Sequence, residues 1–326
     1  MSEQVDMIQS LNWALHDAME DDSQVIVFGE EVADPEGGGI VGVTKGLSTK
    51  YGNRVRSTPI SEMAFTGAAV GAAVAGMKPV VEIMLMNFVG VCMDQITNHA
   101  AKLRFMSGGQ TSVPMVIRTM TGSGMQNGGQ HSDFLEAWFC HTPGMKVVMP
   151  SSPEDGYGLL RSAIDDPDPV LFVEHFPGYW AKGSAPQRGG SIPLGVARIV
   201  KRGADVTLIG YSRSVMDITA VANKLGGEGV SCEVIDLRTV SPLDMDTVLT
   251  SVKKTGRAVV VHEAVKSFGV GAELSTRIYE SLYRELKAPV ERVASKDAPV
   301  PFSKSLEVAF LYSHADIEAA VRRTLD

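Results

Sequence analysis

Hydrophobic positions along the 326-residue chain change period many times. Val5, Ile8, Leu11, Leu15 and Met19 recur at helical spacing and predict an amphipathic helix over 5–19. A continuous apolar run, Val25-Ile-Val-Phe28, then predicts a short buried strand that delivers Glu30 and Glu31 to a loop. The Asp34-Pro-Glu-Gly-Gly-Gly39 stretch reads as a turn. From Glu62 to Gly76 small residues dominate, which predicts a buried helix packed closely on its neighbours. Strands over 79–85, 114–118, 146–149 and 169–174 follow, with a helix over residues 90–105 and another starting at Ser152-Pro-Glu-Asp155. There Ser152 suits a cap, Pro153 the first helical position, and the acids the positive helix end.

Residues 177–195 hold five Gly and three Pro with no apolar period, so a linker is expected and a split near residue 190. Beyond it strands are predicted over 205–210, 231–236, 257–262 and 289–294. Helices are predicted over 214–225, 244–254, 270–286 and 315–324. Strands alternating with helices predict an α/β fold of two domains, each a parallel sheet covered on both faces.

Composition narrows the class. With 44% hydrophobic and 21% charged residues the chain can bury a large core. Thirty basic against 38 acidic residues leave a formal charge of −8, and no long basic run exists, so a nucleic-acid partner is not expected. Apolar stretches break before 18 residues, so no membrane span is expected. The start, MSEQVDMIQS, lacks the basic head and apolar body of a signal peptide. Cys92, Cys140 and Cys232 form no C-x-x-C or zinc-ligand spacing. A cytoplasmic enzyme or enzyme subunit is the expectation.

Five features carry candidate chemistry. Glu62, in Ile60-Ser-Glu-Met63, begins the small-residue helix. It reads either as a group that answers the helix dipole or as a buried carboxylate sharing a proton with a heterocycle nitrogen. His131 follows the Gly-rich loop Thr121 to Gly129. It is either a capping or exposed residue, or a group that moves protons near neutrality. Phe88, at a strand end, is either core or a platform for a flat ring. Glu30 and Glu31 are either solvated or, if one turns inward, a proton relay. Ser212-Arg-Ser-Val215 is a strand-end loop that suits a ligand, a subunit contact or plain capping. No G-x-x-x-x-G-K-[ST], G-x-S-x-G or H-E-x-x-H occurs, nor any Gly-Asp-Gly or Asn-Asn, and the glycines of the Glu62–Gly76 stretch have the wrong spacing for G-x-G-x-x-G.

Over nearly its whole length the chain resembles the beta subunit of the thiamine-diphosphate-dependent component of 2-oxo acid dehydrogenase complexes. The resemblance rests on Val27-Phe-Gly-Glu-Glu-Val-Ala33, Thr58-Pro-Ile-Ser-Glu-Met63, Asp94-Gln-Ile-Thr-Asn98, Met106-Ser-Gly-Gly109, Gly129-Gln-His-Ser132 and Pro143-Gly-Met-Lys-Val-Val148. It continues through Asp236-Leu-Arg-Thr239, Ser241-Pro-Leu-Asp244 and Phe268-Gly-Val-Gly-Ala-Glu273. Glu82-Ile-Met84, Phe88, Gly90-Val-Cys-Met-Asp-Gln95 and Ile117-Arg-Thr-Met120 look most like acetoin-dehydrogenase beta subunits. The loop Met125 to Gly129 is richer in Gly and amides than the family pattern, and Met86 stands where pyruvate-type members tend to have an aromatic.

The resemblance implies a transketolase-like pyrimidine-binding domain over 1–180, a linker over 181–195 and a transketolase C-terminal-like domain over 196–326. It implies Glu62 and His131 as catalytic residues, with Glu30, Ile60, Glu62 and Phe88 around thiamine diphosphate. It places the diphosphate and Mg²⁺ on an alpha subunit in an α₂β₂ heterotetramer, which accounts for the missing Gly-Asp-Gly. It further implies a lipoyl-bearing acyltransferase as partner. A structural K⁺ is implied near Met115, Ala163, Asp166 and Asp168. The expected reaction cleaves a C–C bond beside the carbonyl of acetoin or pyruvate and passes the acyl unit to lipoyl. Alternatives are a branched-chain 2-oxo acid dehydrogenase beta subunit or a two-subunit acyloin-forming enzyme. A non-catalytic assembly protein is the reading from another class.

Overall fold

The computed structural model describes residues 4–326; residues 1–3, where the expected first domain and the reading of the N-terminus begin, lie outside the described residues. By their contacts the residues form two compact units. One takes the chain up to Thr121 and again Trp138–Leu194; the other takes Gly122–Ala137 and Gly195–Asp326.

The first unit contains α1 (Met7–Asp21), β1 (Val25–Gly29), β2 (Val55–Ser57), α2 (Glu62–Val74), β3 (Lys78–Leu85), β4 (Val116–Thr121), β5 (Lys146–Val148), α3 (Pro153–Asp165) and β6 (Val170–His175). Its strands lie in the order β5-β6-β4-β3-β1-β2, all parallel. Asp6 caps α1 by accepting from Gln9 N at 2.9 Å, and Ser152 caps α3 by accepting from Asp155 N at 3.3 Å. Leu11 and Leu15 of α1 meet Leu159 and Leu160 of α3 and Phe172 of β6 in one core.

Two expectations change here. Helix α2 is buried on one face only, through Glu62, Phe65, Thr66, Ala69, Val70 and Ala73; Met63, Ala64, Ala68, Gly71 and Val74 are exposed. The helix expected over 90–105 is three pieces: 3₁₀ turns over Met86–Cys92, a π-helix over Gln95–Ala100 and a short α-helix over Leu103–Met106. Gly90 weakens the helical start, and the Thr97 hydroxyl donates to Met93 O at 2.8 Å, competing for the backbone acceptor.

The second unit contains β7 (Arg198–Lys201), β8 (Val206–Gly210), α4 (Ser214–Gly227), β9 (Cys232–Asp236), α5 (Met245–Thr255), β10 (Ala258–Val265), α6 (Val270–Leu282), β11 (Glu291–Ser295), α7 (Lys304–Phe310) and α8 (His314–Leu325). The order is β11-β10-β8-β9-β7. Strand β7 runs antiparallel to β9, so this sheet is mixed and not purely parallel as expected. It enters directly from the connecting segment with no crossover helix, a common edge of such sheets. Among the described residues no helix is long and apolar enough to cross a membrane.

Candidate active site

Strand β1 ends at Gly29, where a Cβ would come within 2.8 Å of the Glu82 carbonyl oxygen on β3. The chain therefore leaves the sheet in close contact with its neighbour. Glu31 then takes a left-handed backbone, φ +58°, and its side chain is exposed. Glu30 is instead 6% exposed, and its Oε1 is buried without a hydrogen-bond partner. Burial raises its carboxyl above the ordinary carboxylate range, with the charges of Glu62 and then Glu31 adding to the shift.

Glu62 is the first residue of α2 and 9% exposed. Cys92, at the end of the 3₁₀ turns, has its thiol pushed up to about 11, by burial first and also by Glu62. Glu30 and Glu62 thus form a like-charged pair, and Glu30 takes up a proton more readily than an ordinary carboxylic acid. Phe88 is half-buried and packs against the core beside Met84. Ile60 is 83% exposed and Met63 50%. A carboxylate at a helix start, with exposed apolar residues on either side of it in the chain, makes a setting that suits a flat heterocycle with a basic ring nitrogen. The unpartnered Glu30 oxygen is an acceptor with no donor among the described residues, which fits a bound group with an N–H to offer.

His131 belongs to the second unit, with the rest of residues 122–137. It is half-buried, and its backbone N donates to Gly128 O at 3.1 Å. In the Ser212–Val215 loop the Ser214 hydroxyl is taken up by backbone groups, while the Ser212 hydroxyl is buried without a partner among the described residues. The Ser214 hydroxyl accepts from Tyr211 N at 3.1 Å and donates to Val261 O at 2.9 Å.

Two family models match the chain: the transketolase pyrimidine-binding domain over residues 3–178 and the transketolase C-terminal domain over 195–317. The acetoin:2,6-dichlorophenolindophenol oxidoreductase subunit beta of Cupriavidus necator is 44% identical over 333 residues, covering 100% of this chain and 98% of that one. The pyruvate dehydrogenase E1 component subunit beta of Rickettsia felis is 42% identical, covering 98% of each. The chain belongs to this family of E1 beta subunits. A split-gene transketolase, described as an inactive beta4 tetramer, shares the fold with a TM-score of 0.81 at 19% identity, covering 98% of each chain.

In this E1 beta chain the segment read for K⁺ is engaged by cations of the protein. Asp166 accepts from Lys146 Nζ at 2.6 and 2.7 Å; Asp168 accepts from Lys146 at 3.3 Å and from Arg104 at 2.8 Å. Met115 O accepts from Val170 N at 2.9 Å and Ala163 O from Asp166 N at 3.4 Å. A monovalent ion there would find backbone oxygens, with the carboxylates already paired.

The sequence reading passed over a buried cluster on the same sheet. Arg118, 2% exposed, donates to both Glu174 oxygens at 2.7 Å and to Glu82 at 2.6 Å, and the Tyr179 hydroxyl donates to Glu174. The signal was present: Glu82 and Arg118 are register partners on β3 and β4, each a charge inside an apolar strand. Burial and the charge of Glu174 raise the Glu82 carboxyl, against the pull of Arg118. A cavity of about 10 Å³, lined by Glu82, Arg118, Glu174 and Tyr179, adjoins it. The sequence reading also passed over Glu263 and Glu307, which touch the His131 loop.

Proposed function

We propose that this chain is the beta half of a two-chain, thiamine-diphosphate-dependent dehydrogenase that cleaves acetoin or pyruvate beside the carbonyl and delivers the acyl unit to a lipoyl group. The observation that supports the reading is the Glu30–Glu62 pair, two buried carboxylates of which Glu30 leaves one oxygen without a donor among the described residues. Thiamine diphosphate supplies an electron sink when bound. Glu62 would hold the aminopyrimidine ring nitrogen, Phe88 would stack on the ring, and Ile60 would cover it. Glu30, with its raised proton affinity, would hold a proton for exchange with Glu62. His131 would orient the substrate or the incoming lipoyl group, or move a proton there.

In this reading residues 1–180 form the pyrimidine-binding half, 181–195 the linker and 196–326 the C-terminal half. The diphosphate and Mg²⁺ would be held by an alpha subunit in an α₂β₂ heterotetramer. The exposed apolar face of Ile60, Met63, Ala64, Ala68, Gly71 and Val74 supports a covering partner. A lipoyl-bearing acyltransferase would take the product, and the cytoplasm would be the compartment. K⁺ would bind backbone oxygens near Met115, Ala163, Asp166 and Asp168; replacing K⁺ by Na⁺ should then lower the melting temperature of the assembly.

Titration with thiamine diphosphate and Mg²⁺ tests the half-site, with and without the alpha partner. Binding only in the mixed assembly is expected; tight binding by this chain alone overturns it. Turnover with acetoin, pyruvate and branched-chain 2-oxo acids then assigns the substrate. His131→Ala should impair acyl transfer to lipoyl more than cofactor affinity.

A further inference from the structure

We propose that Glu307, assisted by Glu263, is a positioning residue that sets the His131 loop from the far end of the chain. The inference rests on the role given to His131 above. By their contacts residues 122–137 group with the second unit. Three anchors hold the front of this segment. Ser123 N donates to Glu263 Oε1 at 2.7 Å. Gly124 N donates to Glu307 Oε1 at 2.7 Å, and Gln126 N reaches both Glu307 oxygens at 3.3 Å. At Gly128, φ +74°, a Cβ would overlap the Phe302 ring, so the loop lies directly on residues just before α7. The turn closed by His131 N and Gly128 O begins at that seat.

Glu307 is 2% exposed and Glu263 7%, so both carboxylates are buried; the Ser123–Glu263 bond is buried, and the bonds from Gly124 and Gln126 to Glu307 are part-buried and charge-assisted. Gln126 adopts φ +60°, a conformation rare for a residue with a Cβ, and the Glu307 carboxylate is what its N–H meets there. The back of the segment is tied separately. The Tyr211 hydroxyl donates to Glu136 Oε1 at 2.6 Å, and the Tyr211 ring stacks on His262 at 6.0 Å. With both ends fixed, His131 has little freedom to drift. A displacement of about 1 Å at a catalytic group can cost on the order of 100-fold in rate.

The test uses the full chain assembled with its alpha partner, with Glu307→Ala, the volume-preserving Glu307→Gln, His131→Ala and the double variant Glu307→Ala/His131→Ala. Hydrogen exchange at Gly124 and Gln126 should speed up by about tenfold or more in Glu307→Ala, and less in Glu307→Gln, whose amide oxygen still accepts. Glu307→Ala should lower kcat by about 10- to 100-fold, leave the thiamine diphosphate requirement unchanged, and be partly rescued by Gln. On the His131→Ala background it should add nothing, because both changes disable one group. Additive losses, or unchanged exchange, overturn the proposal while His131 keeps its role. Full turnover in His131→Ala removes that role, and the positioning assignment falls with it even where exchange shows the clamp. Should Glu307→Ala fail to fold, the same comparisons are made with Glu307→Gln.

Discussion

The first unit buries two groups of carboxylates, and they are built in opposite ways. Glu82 and Glu174 clasp Arg118, and Glu174 takes a further bond from Tyr179. Among the described residues no ion pair engages Glu30 or Glu62, and Glu30 keeps an oxygen with no donor. The first cluster spends its charge inside the protein. The second leaves an acceptor oxygen uncompensated near a strand end and a helix start. Burial alone therefore does not mark a candidate carboxylate; burial without compensation does.

The sharpest way to break this contrast is Glu62→Gln. Turnover of the assembled enzyme should fall by at least about 100-fold, with stability to urea within about 1 kcal/mol of the parent. Near-normal turnover would sink the role of Glu62. Next is Arg118→Met, which strands two buried carboxylates and should cost about 3–5 kcal/mol in urea unfolding. A loss below about 1 kcal/mol would mean the cluster is no more than a surface-like pair.

Glu82→Gln should cost less, about 1–3 kcal/mol, because Arg118 keeps its two bonds to Glu174. A loss equal to that of Arg118→Met would show that Glu82, not Glu174, is the main partner. The smallest effect is expected at Glu30. Its folded-state proton affinity is raised above the ordinary value of 4.5. Its contribution to stability is therefore full below that value and lost as pH rises through the raised one. Glu30→Gln should flatten this decline and leave the protein more stable at neutral pH than the parent. An unchanged pH profile of the melting temperature would remove Glu30 from the pair.

The sequence made some of this contrast legible. The run Val25 to Phe28 marked β1, and the change to small residues at Glu62 marked the start of α2, because a parallel sheet buries both faces and leaves continuous apolar runs. The division of labour between Glu30 and Glu31 turns on one left-handed residue, which no periodicity reports. Arg118 was visible as a charge in an apolar strand, yet its partners lie on β3 and β6 and depend on register. The break of residues 86–106 into 3₁₀, π and α pieces followed from hydroxyl and glycine chemistry that an apolar pattern does not weigh. The antiparallel β7 escaped notice because four residues at a sheet edge, half-buried, alternate too briefly to read.

The seat of the His131 loop also has a temporal meaning. Ser123 and Gly124 are joined to partners 140 and 183 residues further along the chain. During synthesis the strands of the first unit can pair as they emerge, but this loop has nothing to hold it until Glu263 and then Glu307 leave the ribosome. Contacts so distant in sequence form late, because the intervening chain must first be gathered in. The segment that carries the imidazole would thus be among the last to settle, and a nascent chain stopped short of α7 would fold much of its body while the seat of His131 stays unfinished.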